Sequence, residues 1–335
     1  MATKKRFLAV LLCLTLLGAL AACGTETDTS GASSETPDKP DGKLTIGYST
    51  RLPNDQAQSS LEAAVKKAVE DAGAEYVLLT CNSITDVATQ ANHIDDLINM
   101  KVDAIIVNPN DGDSCLEALQ RAKDAGIPAV TVDGRLSEGF EDRVISQFCT
   151  ASVQAGELCA QMLMDTMPEG GNVIVIRGAN GNVVHGARSD GFIEALKGSK
   201  WKVVGEMFND PCDNDGALKV TENLMASANY DIQAAFSITD TWFPGMAQAI
   251  DDAKLTDQVK LVGIDGFVVG CEYIQKDRCV GIARIDLPSV GQKAVECLMS
   301  IINGEKTAED YEPVVPVDCT KITPDNVEEA IKTAY

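Results

Sequence analysis

Short apolar runs alternate with stretches of helical period along most of the chain. Strand-like runs fall at residues 44–48, 76–80, 104–107, 129–132 and 144–148, then at 173–176, around 203, and at 234–238, 261–264 and 281–285. Helical patterns lie between them at 57–72, 87–100 and 114–125, from 152 onward, from 188 to 196, and at 218–228 and 290–302. The segment from Ser152 shows how the period decides: Val153, Leu158, Met162 and Leu163 fall near one stripe, while Gln154, Glu157, Gln161 and Asp165 lie elsewhere. That is a helix with one buried face. Regular alternation of the two element types predicts parallel sheets covered by helices on both faces, an α/β fold.

Two stretches echo each other. Residues 103–108 (Asp-Ala-Ile-Ile-Val-Asn) and 129–134 (Ala-Val-Thr-Val-Asp-Gly) have counterparts in 233–238 (Gln-Ala-Ala-Phe-Ser-Ile) and 260–266 (Lys-Leu-Val-Gly-Ile-Asp-Gly). The echo predicts two similar Rossmann-like lobes. In each, an apolar strand ends in Asp-Gly, and the carboxyl ends of parallel strands border the ligand crevice. Asp133 and Asp265 are therefore expected to face one shared cleft; spacing alone also allows each to cap the turn that follows it.

The start of the chain follows another rule. Lys4, Lys5 and Arg6 precede an apolar run over residues 7–20, a positive region and a hydrophobic region too short for a comfortable membrane span, which is the form of an export signal. The run closes in Leu20-Ala21-Ala22-Cys23-Gly24 and there resembles the lipobox of bacterial lipoproteins. The resemblance implies a signal peptide over residues 1–22 and a lipid on Cys23. Residues 24–42 are Thr, Ser, Asp, Glu, Pro and Gly with almost nothing apolar, so they form a flexible tether. No internal apolar run is long enough to span a bilayer. The expected location is extracytoplasmic, anchored to the membrane by lipid.

Charge and cysteine content narrow the chemistry. The 335 residues carry 28 Lys+Arg against 50 Asp+Glu, a formal charge of −22, with no basic cluster beyond the first six residues, so nucleic acid is not an expected partner. A hydrophobic content of 45% is enough for a folded core. Of eleven cysteines, Cys13 leaves with the signal and Cys23 takes the lipid, which leaves an odd number. Cys81, Cys149 and Cys319 on or beside strand-like runs, and Cys159 and Cys297 on apolar helix faces, read as small buried hydrophobes. The disulfide candidate is Cys271 with Cys279. With only His93 and His185 in the chain and no zinc-knuckle spacing, no metal site is expected.

No enzymatic constellation assembles either. Gly178-Ala179-Asn180-Gly181 follows a strand and precedes a helix, but lacks both the Lys-Ser/Thr ending of a P-loop and the full dinucleotide glycine pattern, and reads as a turn. His185 lies three residues before Arg188 on one helical face, with no serine or cysteine placed as its nucleophile. No cofactor is expected.

From Lys43 to about Cys319 the chain resembles the type I periplasmic sugar-binding proteins of ABC importers, the ribose- and galactose-binding group. The residues that carry this are Ile46-Gly47-Tyr48-Ser49, Ala104-Ile105-Ile106-Val107-Asn108-Pro109, Gly126-Ile127-Pro128 before Val132-Asp133, Gly156, Arg188-Ser189-Asp190-Gly191-Phe192, Val262-Gly263-Ile264-Asp265-Gly266 and Asp286-Leu287-Pro288. Their order and spacing, rather than any one of them, make the likeness. It implies two lobes joined by a three-segment hinge with crossings near Thr150, near Asp286 and around residues 314–317. Lobe one would take about 43–150 and 287–312, lobe two about 151–286 and 316–322, and a C-terminal helix 323–335.

The resemblance also implies a pocket. Asp133 matches the acidic residue that holds sugar hydroxyls, Arg188 an arginine that donates to the ring or a hydroxyl, and Asp265 the acidic residue of the second lobe. Asp286 stands where Gln or Asn is usual and Thr239 where Asn is usual. Aromatic residues normally cover the sugar face in the first-strand loop, but residues 51–58 contain none, and Cys212 replaces a second-lobe aromatic. Trp242, just past Asp240, is a candidate stacking surface, as is Phe267; Trp242 as a core residue is the other reading. Asp240, Asp55 and Gln56 complete the candidate set. The expected function is capture of a small neutral sugar, a pentose or hexose, and its delivery to an ABC permease. A sensory receptor ectodomain presenting a signalling sugar to a membrane kinase or chemoreceptor would use the same pocket.

Overall fold

The computed structural model describes residues 42–51, 56–83 and 86–334. The signal segment, Cys23, most of the tether and Asp55 lie outside the described residues.

The first lobe begins with β1 (Thr45–Thr50), α1 (Gln56–Asp71), β2 (Glu75–Thr80), α2 (Val87–Asn99), β3 (Ala104–Val107), α3 (Leu116–Asp124), β4 (Ala129–Val132) and β5 (Gln147–Thr150). The second follows with α4 (Ser152–Thr166), β6 (Gly171–Arg177), α5 (Val183–Ala195), β7 (Trp201–Phe208), α6 (Asn214–Ser227), β8 (Ala234–Ser237), α7 (Phe243–Asp252), β9 (Lys260–Asp265), α8 (Val268–Gln275) and β10 (Cys279–Arg284). The chain then returns to the first lobe as α9 (Leu287–Ile302) and β11 (Val314–Val317), and ends in the second with β12 (Thr320–Ile322) and α10 (Val327–Ala330). The two sheets have the orders β11-β5-β4-β3-β1-β2 and β12-β10-β9-β8-β6-β7. All pairings are parallel except β10 with β12, where Ile282 faces Ile322.

Three segments therefore cross between the sheets: after Thr150, after Arg284, and between Val317 and Thr320. The third lies a few residues later than expected, because Val314–Val317 itself pairs with β5 as an edge strand, from Val314 opposite Gln147 to Val317 opposite Thr150. The expected C-terminal helix is one four-residue turn, Val327–Ala330, followed by a short 3-10 turn.

Alternation along the strands decides which helices cover which face. On β3, Ala104 and Ile106 join the core cluster that contains Leu61 and Val65 of α1 and Val290 of α9. Ile105 and Val107 join the cluster with Ile94 and Leu97 of α2 and Leu119 of α3, as the two-residue period of a strand requires. Gly47 in β1 leaves room for α2: a Cβ there would lie 2.5 Å from Leu97 Cδ2.

Short polar side chains start the helices. Asp86 accepts from Thr89 N at the head of α2, Asn182 from His185 N at α5, and Asp213 from Gly216 N at α6, each satisfying a donor that the helix leaves open. In the second lobe α4 and α5 cross almost backbone to backbone. A Cβ on Gly156 would meet Arg188 O at 2.1 Å, and one on Gly191 would meet Val153 O at 2.3 Å. This crossing fixes the turn of α5 that carries Arg188.

All nine cysteines among the described residues are free thiols. The expected Cys271–Cys279 bridge is not formed. Both are buried, and Cys279 Sγ donates to Gly281 O at 3.3 Å, so they behave as the small hydrophobes that the other cysteines were expected to be.

Candidate functional site

The Asp-Gly echo turns out to be conformational as well as sequential. Asp133, directly after β4, has φ 58°, and Asp265, the last residue of β9, has φ 107°. Both lie in the left-handed region, which costs a non-glycine residue about 1–3 kcal/mol and persists where the surroundings hold it. Each sits at the carboxyl end of its strand, where a crevice between the lobes forms.

In the first lobe Asp133 Oδ2 accepts from the Arg51 guanidinium and from Gln58 Nε2 at 2.9 Å. Gln58 is itself held: its Oε1 accepts from Asn108 Nδ2 at 2.7 Å, and Gln90 Nε2 donates to Asn108 O at 2.8 Å. One chain of bonds thus runs from α2 through the end of β3 and α1 to Asp133. Asn108 Oδ1 is buried without a partner.

In the second lobe Arg188 Nη1 donates to Asp265 Oδ1 at 2.8 Å and to Ile238 O at 2.9 Å. The two side chains are 12% and 13% exposed, so the pair is nearly dry, and Arg188 Nε is buried without a partner. Beneath it lies Asp240, fully buried. Its Oδ2 accepts from Gly266 N at 3.0 Å and Phe267 N at 2.9 Å, and its Oδ1 has no partner. Burial first, and then the neighbouring Asp265, push the Asp240 carboxyl well above the usual carboxylate range, which favours the neutral acid. Its role is to clamp the turn that carries Asp265 and Phe267.

His185 is also neutral. Burial, then the charges of Arg188 and Arg51, push its pKa down to about 4, and its Nδ1 accepts from Ala179 N at 3.1 Å. Arg51 belongs to the first lobe and His185 to the second, so the smallest of these causes acts across the cleft. Two amides of the Gly178–Gly181 turn are already used, Ala179 N by His185 and Asn180 N by Asp210 Oδ1 at 2.9 Å.

The remaining candidates divide. Asp286 caps α9, with Oδ1 accepting from Ser289 N at 3.1 Å and Oδ2 from Ser289 Oγ at 2.6 Å. Thr239 Oγ1 lies 2.8 Å from Thr241 Oγ1 and caps the 3-10 turn Asp240–Trp242. Trp242 offers no stacking face: it is 4% exposed and joins the core cluster with Phe243 and Met246, because that turn directs the largest apolar side chain of the segment inward. Gln56 is exposed at the head of α1 and, with Thr241 and Phe267, lines a cavity between the lobes.

Arg51, Gln58 and Asn108 are the site residues that sequence reasoning passed over. Gln58 had a signal, because it falls on the stripe of α1 that buries Leu61, Val65 and Val69. A buried amide on an apolar face needs a partner, and that partner is the site.

Residues 46–306 match the family model described as a periplasmic binding protein domain. The chain belongs to the periplasmic binding protein family. Among relatives of this binding protein, the ribose import binding protein of Bacillus subtilis is 28% identical over 303 residues, covering 90% of this chain and 95% of the relative. A xylitol-binding protein of Mycolicibacterium smegmatis is 30% identical over 268 residues, covering 78% and 73%. A solute-binding protein from Actinobacillus succinogenes, solved with D-allose, superposes with a TM-score of 0.75 at 22% identity, covering 86% of this chain and all of that one; at that identity the agreement is one of fold, the two-lobed type I form. These relatives are solute-binding proteins, not enzymes.

Proposed function

We propose that the protein is the extracytoplasmic receptor of an ABC importer, anchored through a lipid on Cys23, which binds a small neutral sugar between its lobes and hands it to the permease. The observation that carries this reading is the charge balance of the two half-sites. Arg51 is set against Asp133 and Arg188 against Asp265, while Asp240 and His185 are both held neutral. A cleft with no net charge selects no ion, but it is rich in strong donors and acceptors. Carboxylates accept from hydroxyls and the Arg188 guanidinium donates; each hydrogen bond to a charged group contributes about 1.5–3 kcal/mol. The import binding proteins among its relatives carry ribose and fructose in their names, which gives the screen its first members.

The test is calorimetry on the unit Lys43–Tyr335 with ribose, xylose, fructose, allose, xylitol and myo-inositol, alongside amino acids and nucleosides. Asp133→Ala and Arg188→Ala are each expected to weaken the bound sugar at least about tenfold, or roughly 1.4 kcal/mol, with the fold retained. Affinity unchanged in both variants would remove the pocket assignment, and a response confined to amino acids or nucleosides would remove the sugar.

A further inference from the structure

Beside the two charged pairs the cleft continues outward. A cavity of about 470 Å³ is lined by Gln56 of the first lobe and by Thr241, Phe267, Val268, Val269 and Glu272 of the second. Cavities of about 300–1,000 Å³ enclose whole small molecules. Asp133, Arg188 and Asp265 do not line it, so it is additional space beside their site, joined to it among the described residues through the turn that carries Asp265 and Phe267.

We propose that this cavity is a second sugar subsite and that the solute is a neutral disaccharide, with one ring at the charged pairs and the other against α8. The inference rests on the sugar-binding reading and names its substrate class. Among the described residues of the lining, Phe267, Val268 and Val269 are apolar, and Gln56 on one lobe and Thr241 and Glu272 on the other are polar. A sugar ring has the same division, with C–H groups on its faces and hydroxyls around its edge. An alkyl or aryl group of similar size would satisfy the valines and the phenylalanine, but would cover the exposed Gln56 amide without giving it a partner, at a cost in binding. An anionic group would meet the Glu272 carboxylate. A cationic one would find that carboxylate already paired with Lys276 at 3.2 Å. The wall is held in place by the Asp240 clamp on Phe267 N, and Val268, the first residue of α8, is 39% exposed.

The experiment compares xylobiose with xylose, cellobiose and maltose with glucose, and melibiose with galactose by calorimetry, with a phenyl glycoside of each sugar as control. For at least one linkage the disaccharide is expected to bind ten times or more tighter than its monosaccharide. Val268→Arg fills the cavity from an exposed position and should bring that ratio within twofold while the monosaccharide affinity stays as it was; Glu272→Ala should weaken the disaccharide alone. Melting temperatures check that both variants fold. Equal affinity for mono- and disaccharides, or an equal gain from the phenyl group, overturns the second subsite and leaves the sugar reading standing, whereas no binding by any sugar overturns both.

Discussion

Replacing Asp240 by asparagine separates two things the buried carboxyl does: it accepts from Gly266 N and Phe267 N, and it holds a proton. In the folded protein its pKa lies well above the ordinary 3.8, because of burial and then the charge of Asp265. The folded state thus keeps a proton that the unfolded state has lost. Stability linked to this group is complete below about pH 3.8 and falls as the pH rises, by about 1.4 kcal/mol per pH unit, until the folded carboxyl ionises. A carboxamide in its place would keep an oxygen for the two backbone amides and could not ionise. Urea unfolding from pH 4 to pH 8 should therefore show the stability of Asp240→Asn gaining on wild type with that slope, then levelling off. The extra N–H of the carboxamide shifts the whole difference without changing its slope. Asp240→Ala instead strands two buried donors, at about 1–3 kcal/mol each, at every pH. Parallel curves for wild type and Asp240→Asn would refute the argument, since the carboxyl would then titrate alike in both states.

Three other outcomes are expected. Gly156→Ala puts a methyl 2.1 Å from Arg188 O and 2.5 Å from Phe192 N; backbone cannot yield there as a flexible side chain would, so a loss of about 1–3 kcal/mol in thermal unfolding is expected, and an unchanged melting point would contradict the close crossing of α4 and α5. Thiol titration of the Lys43–Tyr335 unit should find one fast thiol, Cys212, which alone is exposed among the nine described, and nine after denaturation; seven would mean that a disulfide is present. Cys23→Ser should move the protein from the membrane fraction to the soluble one, and continued membrane association would end the lipoprotein assignment.

The parts of the fold legible in the sequence were those with a clear period. β3 and β4 lie where alternation and apolar runs placed them, at Ala104–Val107 and Ala129–Val132. α7 (Phe243–Asp252) was not read from the sequence, although Phe243, Met246, Ala247, Ala249 and Ile250 form its buried face and Gln248, Asp251 and Asp252 its exposed one; Pro244 and Gly245 at its start interrupt the helical pattern. β11 was expected to be a crossing because the family resemblance put the third hinge segment around residues 314–317. Its Pro316 removes a donor from the ladder, but β11 is an edge strand, where that loss is tolerated. In the candidate site, Asp133 and Asp265 were singled out because each Asp-Gly ends an apolar strand, and both aspartates share a positive φ. The Arg51 and Gln58 contacts to Asp133 span 82 and 75 residues, and no local pattern reports a partner that far away. For Trp242 the sequence left two readings, a stacking surface or a core residue, and its apolar area decided for the core.

On the sugar-binding reading, the hinge and the half-sites form one device. The crossing after Thr150 leads directly into α4, whose Gly156 is pressed against α5, and α5 carries Arg188, which is paired with Asp265. On this reading, movement at the hinge would carry the Arg188–Asp265 pair together with α4 and α5 towards Asp133, which is braced by Gln58 and Asn108 on the other lobe. A solute touching one lobe gains nothing from closure, and only contacts added by closure shift the equilibrium. Turning a 1:99 population into 99:1 needs about 5.5 kcal/mol. Two hydrogen bonds to charged groups made only in the closed form supply about 3–6 kcal/mol, so the second lobe needs little more than Arg188 and Asp265 to drive it. Loss of either side chain should leave a solute that still binds the first lobe but no longer holds the lobes together, and small-angle scattering with and without sugar would show a compaction in wild type that Arg188→Ala does not make.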